Sequence, residues 1–211
     1  ALMPPPSSSG GIARQGADQV LWVDGDYSLG GSDGSEEKPF ADIQSAITAA
    51  GAKRTLVKVK PGTYSLPESE GAEQRNVVDI ASGKDVRIVG VEGAEKTTIA
   101  GASAVRCVFM GGASAVQGFT LSGGNAIEYS GGLYAADRLA VLTDCIITNC
   151  TARRAGAAYR GRLERCWIVD NYFSGYDIAN NDIAEQGIYS SCVFSGNRAP
   201  DKLATHPVVG M

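Results

Sequence analysis

The sequence lacks several features that would point to common classes of function. Its single histidine, His206, has no cysteine or paired carboxylate nearby, so neither a histidine metal site nor a catalytic triad is predicted. No run of residues approaches the 18 apolar positions that would indicate a membrane span. The formal net charge is −4, which argues against nucleic acid as a partner because contacts to phosphates require a basic surface.

Cysteine is scarce and odd in number. Five cysteines leave at least one thiol unpaired in a monomer. Cys145, Cys166 and Cys192 each stand in a similar short segment, and we expect them to stack as a column of free, buried thiols. A disulfide between Cys145 and Cys166 is the alternative, because stacked neighbours would lie close enough to bridge.

Similar short segments recur along the chain at unequal intervals. They are VRIVG at 86–90, VQGFTLSGG at 116–124, LTDCIITNC at 142–150, LERCWIVDN at 163–171 and YSSCVFSGN at 189–197. Their alignment places Val89, Phe119, Cys145, Cys166 and Cys192 in one column. Short β-rich units joined by loops of unequal length are typical of a solenoid, in which the chain returns to the same place once per turn.

The alternation of strand side chains assigns residues to the two faces of these units. The column and the residues two positions later should face the interior. The residues between them should form an outward row of Thr120, Ile146, Trp167 and Val193. Cys150, Asn171 and Asn197 lie five residues after the cysteines, and we expect a corner here in which asparagine adopts left-handed backbone angles.

The N-terminal part of the chain has a different organisation. Residues 1–18 are rich in Pro, Ser and Gly and are predicted to be a flexible leader or linker. Residues 19–211 are predicted to form one β-helix domain, with a cap at 19–51 and coils at 52–211. Pro39 should begin a helix that Gly51 ends, and its apolar stripe, which includes Phe40 and Ile43, should cover the open end of the solenoid.

Three segments in this region resemble a known family. They are WVDGD at 22–26, GGSDGSEEKPFADIQSAITAA at 30–50 and VKVKPGTY at 57–64. Their order and spacing resemble the opening module of pectate-lyase-like, single-stranded right-handed parallel β-helix proteins. GGLY at 131–134 and FSGN at 194–197 are similar to the repeats of polymorphic outer-membrane adhesins. The resemblance implies an all-β fold, a right-handed parallel β-helix of about six coils, in a secreted or cell-surface protein that associates with polysaccharides.

Two groups of charged residues are candidates for chemistry on acidic sugars. Arg138, Arg160 and Arg162 belong to a cluster of arginines that could pair with uronate carboxylates, although a solvated face is the alternative reading. The resembled enzymes often use Arg or Lys as a base and calcium held by carboxylates. The loop with Asp24, Asp26 and Asp33 is a weak candidate for calcium, since Leu29 and Ser35 stand where an EF-hand loop has Gly and Glu.

A longer insertion between two repeats is the candidate glycan-binding segment. It mixes aromatic rings with hydrogen-bonding side chains, as sugar sites do. The residues are Tyr172, Phe173, Tyr176, Asp177, Asn181 and Asp182. The alternative is a loop whose aromatic rings fold onto the outer wall of the coils.

The sequence therefore supports three hypotheses on function. The first is a non-catalytic extracellular or cell-surface module with a structural, adhesive or glycan-contacting role and no cofactor except possible calcium. The second is a lyase or epimerase acting on acidic polysaccharides. The third is a self-assembling filament or sheath subunit, with contacts between chains at Ile146, Trp167 and Val193.

Overall fold

The computed structural model describes residues 16–66, 75–175 and 183–199. Its elements in chain order are β1 (Gln19–Val23), α1 (Ile43–Ala49), β2 (Thr55–Val59), β3 (Gly62–Ser65), β4 (Arg75–Ile80), β5 (Val86–Gly90), β6 (Thr97–Ala100), β7 (Val105–Met110), β8 (Ala115–Gln117), β9 (Thr120–Ser122), β10 (Asn125–Tyr129), β11 (Leu133–Ala135), β12 (Val141–Thr143), β13 (Ile146–Thr148), β14 (Thr151–Arg154), β15 (Ala158–Tyr159), β16 (Arg162–Glu164), β17 (Trp167–Val169), β18 (Tyr172–Phe173), β19 (Ala184–Glu185), β20 (Ile188–Ser190) and β21 (Val193–Ser195).

These strands form four sheets in which every pairing between named strands is parallel. The first sheet has the order β1-β2-β5-β8-β12-β16-β20, and the second has the order β3-β6-β9-β13-β17-β21. The third sheet is β10-β14-β18 and the fourth is β4-β7-β11-β15-β19. Apart from β1 and β2, which are separated by α1, neighbours within a sheet are separated in sequence by strands of the other sheets, which is consistent with a parallel β-solenoid. The prediction of an all-β chain of stacked parallel strands is thus confirmed.

The core consists of inward residues that stack strand upon strand. In the first sheet Val57, Ile88, Val116, Leu142 and Leu163 are paired in register and fully buried. The second sheet repeats the pattern with Ile99, Leu121, Ile147 and Ile168. Each such side chain contributes about 1.5 to 3 kcal/mol by leaving water, so these ladders supply most of the driving force for folding.

The column of repeats lies at the corner between the first and second sheets, and one of its predicted members is wrong. Its later members are linked by backbone hydrogen bonds. The N–H groups of Ile146, Trp167 and Val193 donate to the carbonyls of Phe119, Cys145 and Cys166, respectively. Val89 instead pairs with Gln117 inside the first sheet. The alignment of VRIVG was therefore two residues out of register, because the loop at 91–96 replaces the tight corner of the later units.

Residues with left-handed backbone angles lie at both corners, and at the second corner they fall one residue earlier than predicted. At the first corner the residues with positive φ are Gly118, Asp144, Arg165 and Ser191. At the second corner they are Gly123, Asn149, Asp170 and Gly196. Asn171 and Asn197 follow these positions and do not themselves have positive φ. Their importance lies in their side chains.

Asn171 and Asn197 form a ladder of amide hydrogen bonds along the second corner. The Asn171 Oδ1 accepts the Cys150 N–H at 2.9 Å, while its Nδ2 donates to the carbonyls of Ile147 and Val169 at 2.9 and 3.1 Å. The Asn197 Oδ1 accepts the Asn171 N–H at 2.9 Å. The asparagines thus satisfy backbone groups that the bend leaves without strand partners.

The helix is shorter than predicted. It begins at Ile43, with Asp42 as its N-cap accepting the Ser45 N–H at 2.7 Å, and not at Pro39. Phe40 is excluded from the helix because it forms a parallel bridge with Val23. The predicted end is correct, since Gly51 has a φ of +58° directly after the C-cap.

The helix packs against the strands at the N-terminal end of the structure. Ile43, Ala46 and Ile47 are its buried residues, and α1 contacts β1, β2 and β4. The Gln44 side chain donates to the Asp79 carbonyl at 3.1 Å and accepts the Asp79 N–H at 2.9 Å. Strand β4 is the edge of the fourth sheet, so this amide replaces a strand partner for one of its residues.

Some of the sequence predictions fall outside the described residues. Residues 1–15 of the predicted leader and His206 in the C-terminal segment are among them. Within the part of the chain that the structure describes, the single helix is too short and too polar to cross a membrane.

The five cysteines are free thiols in the structure. Cys107, Cys145, Cys150 and Cys166 are buried, and Cys192 is half-buried. The Cys145 and Cys166 thiols donate to the carbonyls of Thr143 and Glu164 at 3.2 and 3.3 Å. Burial raises the pKa of the Cys166 thiol, and hydrogen bonding with Cys166 together with burial raises that of Cys192. Thiols with raised pKa values are poor nucleophiles near neutral pH.

We expect Asn171→Ala to lower the free energy of unfolding by about 3 kcal/mol, because the Cys150 N–H and two carbonyls lose a buried partner. Urea unfolding followed by circular dichroism measures the change. Asn125→Ala, at an exposed strand position, is the control and should change stability by less than about 0.5 kcal/mol. Equal losses for the two variants would contradict a structural role for the ladder.

Labelling with an uncharged maleimide should modify at most Cys192 in the native protein and all five cysteines after unfolding without reductant. Burial protects the other four thiols from the reagent until the coils open. Intact-mass spectrometry counts the labels. Fewer than five labels on the unfolded chain would reveal a disulfide and contradict the column of free thiols.

Candidate functional site

The three candidate arginines do not converge on one site. Arg138 and Arg160 meet at Gln186, where the Arg138 Nε donates to the backbone oxygen at 3.1 Å and the Arg160 Nε donates to the side-chain oxygen at 3.2 Å. Arg160 also donates to the Ala136 carbonyl at 2.8 Å. Arg162 lies apart, at an outward position of the first sheet, paired with Val141. A single catalytic cluster of these three residues is therefore not formed.

Aromatic residues form a column on the outward face of the fourth sheet, which we call the tyrosine column. Phe109, Tyr134 and Tyr159 are in register, with ring centroids 5.6 and 5.2 Å apart, and the Tyr129 ring lies 4.5 Å from that of Tyr159. The Arg160 guanidinium lies 5.1 Å from the centre of the Tyr159 ring. Because the ring faces contact one another and an arginine, this column stabilises the wall more than it offers stacking faces to a sugar.

A buried arginine, Arg106, contacts two members of the tyrosine column. Arg106 donates to the carbonyls of Ser130 and Tyr129 and to the Asn76 side chain, each at 2.8 Å. Its guanidinium also lies 4.9 Å from the centre of the Tyr134 ring. Burial lowers the pKa of Arg106 to about 10. With its donors used inside the fold, this arginine positions neighbouring chain segments and does not face a ligand.

The outward face of the first sheet contains a groove of about 350 Å³, which we call the arginine groove. It is lined by Arg87, Ala113, Ser114, Ala115, Leu139, Val141, Thr143, Glu164 and Arg165. Its floor consists of Ala115 and Val141, which pair in register beside Arg87. Leu139 is 66% exposed and forms an apolar wall. The groove therefore presents arginine side chains next to apolar surface.

One arginine of the groove is held rigidly. The Arg165 Nε and Nη2 donate to the two carboxylate oxygens of Asp144 at 2.7 and 3.1 Å. Gln117 donates to the same carboxylate at 2.9 Å, and Asp144 is only 8% exposed. Hydrogen bonding to Asp144 raises the pKa of Arg165, so the guanidinium remains charged at any physiological pH. The fork geometry fixes the direction in which it faces the groove.

The chemistry of the arginine groove suits binding better than catalysis. Elimination from a uronate needs a base beside the acidic carbon and a cation for the enolate. Glu164 is the carboxylate among the lining residues, and Arg162 approaches it at 3.7 Å. The Asp144 carboxylate behind the groove is already bound by Arg165 and Gln117. Two guanidinium groups over an apolar floor provide sites for anionic groups on a ring-shaped ligand.

The candidate glycan-binding residues are only partly described. Tyr172 is 38% exposed, on the outward face of β18, where it pairs with Thr151. Phe173 is 2% exposed and lies in the core, so the prediction that it contacts a sugar is wrong. The alternation of the strand places the two neighbouring rings on opposite faces. The remaining candidates, Tyr176, Asp177, Asn181 and Asp182, lie outside the described residues.

Two of the three carboxylates proposed for calcium have other partners. Asp24 forms an ion pair with Lys60 at 3.0 Å and accepts the Asp26 N–H at 3.1 Å. Asp33 accepts the Ser35 N–H at 2.9 Å. Across residues 16–66, 75–175 and 183–199, His, Cys, Asp and Glu side chains do not gather in a group of three or more that could hold a metal ion. The loop is organised by turns and one ion pair.

The residues predicted for assembly lie together. Ile146, Trp167 and Val193 pair in register on the outward face of the second sheet. Thr120 continues the row on β9. Val193 is 43% exposed, and the other members of the row are partly exposed.

Sequence reasoning missed the arginine groove. The predicted inward column includes Val89 and so implies an inward Arg87, whereas both residues lie on the outward face of β5. In the observed register Arg87 shares an outward row with Ala115, Val141 and Arg162. A signal was present in the sequence, since the alternation of Val86, Arg87 and Ile88 favours an outward position for Arg87.

Comparison with known proteins gave no match to this chain among family models, curated proteins or solved structures. The resemblance of residues 22–64 to the pectate-lyase-like opening module therefore depends on its motifs alone.

Proposed function

We propose that this chain is a non-catalytic module of an extracellular or cell-surface protein, and that it contacts acidic glycans through the arginine groove. The observation that supports this most directly is the pairing of Arg87 and Arg165 with an apolar floor and the exposed Leu139 side chain. Uronate-containing glycans combine carboxylates with apolar ring faces, and both parts have a complement in the groove.

The proposal extends to the finer architecture. We infer a right-handed β-helix of the pectate-lyase-like type, with about six coils and with α1 as the cap of its first coil. Support comes from the motifs of residues 22–64 and from the Gln44 hydrogen bonds to the edge strand β4. Because a cap covers this end of the stack, a ligand would contact the sides, where the arginine groove lies.

A binding role is favoured over a lyase or epimerase by the state of the charged groups. Arg165 and Asp144 hold each other in a fixed bidentate pair, and Arg160 bonds to Gln186 and Ala136. A catalytic base must be able to exchange a proton with substrate near the working pH. A guanidinium held in this way keeps its proton, so it can donate a hydrogen bond to a ligand but cannot act as a base.

We expect Arg87→Gln to weaken the binding of oligogalacturonate or oligoalginate by about tenfold, because one charge-assisted contact is lost. Isothermal titration at low and moderate salt measures the affinity. Binding should also fall as salt rises, because the contacts are ionic. A neutral glucan oligomer should bind equally to the wild type and the variant.

Arg153→Gln is the matched control. It removes the same charge from a side chain that is 65% exposed and pairs with Glu128 on the third sheet, away from the groove. Equal weakening by the two substitutions would indicate non-specific charge attraction and overturn the proposal. An increase in ultraviolet absorbance from an unsaturated uronate product, lost in Arg87→Gln, would instead establish a lyase.

A further inference from the structure

The two arginines of the arginine groove lie on different levels of the stack. Arg87 is on β5, and Arg165 directly follows β16. Strands β8 and β12 lie between β5 and β16 in the first sheet. Three steps between neighbouring strands separate the two levels by about 14 Å along the stack. A ligand that contacts both guanidinium groups must therefore cross the two levels between them.

The surface between the two arginines is uncharged. The outward residues of β8 and β12 are Ala115, Gln117, Val141 and Thr143. Gln117 and Thr143 are buried, and the Gln117 amide donates to the Asp144 carboxylate at 2.9 Å. Ala115 and Val141 are partly exposed and present methyl groups. A carboxylate placed over this floor would lose water without gaining a partner, which lowers affinity.

Carboxylates of the protein accompany the arginines at both ends of the groove. Asp144 binds Arg165 through both of its oxygens. Glu164, the residue before Arg165, also lines the groove. Asp85 is exposed two residues before Arg87. Because these negative charges offset the positive ones, long-range attraction of a dense polyanion is weak, and selectivity depends on the pairing of individual groups.

We propose that the arginine groove is specific for acidic glycans in which neutral sugars separate the charged ones, and that it discriminates against polymers charged on every ring. This inference rests on the proposed function, because it takes the groove as the glycan site. The acidic groups contact Arg87 and Arg165. A neutral ring lies between them over Ala115 and Val141, where its apolar face and the floor leave water together.

A cation placed on the floor of the groove tests this specificity. Isothermal titration compares a hyaluronan hexasaccharide, in which every second ring is acidic, with a hexagalacturonate, in which every ring is acidic. We expect the wild type to bind the alternating glycan at least about tenfold more tightly. Val141→Lys supplies a partner for a carboxylate over the floor, so it should tighten the binding of hexagalacturonate and reduce the preference at least about tenfold.

Two further variants separate the effect of charge on the floor from other effects. Val141→Met lengthens the same side chain without adding charge. Val20→Lys adds the same charge to the first sheet at an exposed position on β1, two strands before β5 in the sheet order. Both variants should retain the wild-type preference for the alternating glycan. Circular dichroism verifies that all variants fold.

Failure of this specificity is distinguishable from failure of the proposed function. If neither glycan binds, or if Arg87→Gln and Arg153→Gln weaken binding equally, the groove is not the glycan site and both proposals are overturned. If only Arg87→Gln weakens binding, the groove remains the glycan site. In that case, hexagalacturonate binding as tightly as the alternating glycan, or an unchanged preference in Val141→Lys, would overturn the specificity alone.

Discussion

The constraint on which the structure depends is parallel stacking in register. Hydrogen bonds between parallel strands hold each residue about 4.8 Å from its counterpart in the next strand, so every position lies on a similar position. Like residues then accumulate in columns: aliphatic ladders inside, asparagines at one corner, tyrosines on one wall. The Asn171 side chain shows how strict this is, because its amide reaches the backbone of its own strand and of a neighbouring one at once. A substitution in such a column therefore affects at least two levels of the stack.

The sequence was informative about this repeating core and less so about its boundaries. Periodicity identified Ile147 and Ile168 as inward residues and Ile146 and Trp167 as outward ones, and the structure agrees. Two errors arose where local and long-range interactions compete. Pro39 suggested a helix start, but the bridge between Phe40 and Val23 keeps the chain extended until Asp42 supplies a cap. Val89 entered the wrong column because its unit lacks the tight corner from which the register of the others is read.

The candidate site was harder to predict because it is formed by residues from distant strands. Arg87 and Arg165 are separated by two intervening strands of the first sheet, and the sequence gives no sign that Leu139 from a connecting loop will complete the same groove. Clustering in sequence drew attention to Arg160 and Arg162, which the fold separates onto different walls. In a solenoid, residues that are close in sequence can lie on different faces, whereas residues separated by one full turn lie on the same face.

The corner at Asp144 and Arg165 has a consequence for how such a protein can evolve. Both residues have left-handed backbone angles, with φ of 52° and 51°, a conformation that glycine adopts more easily than either. Arg165 lines the groove and Asp144 holds its guanidinium from behind, so the residues of the strained bend also fix part of the recognition surface. A replacement by glycine at either position would ease the backbone but remove the ion pair that holds the Arg165 guanidinium in place. Selection for tighter turns and selection for a different ligand therefore oppose each other at this corner.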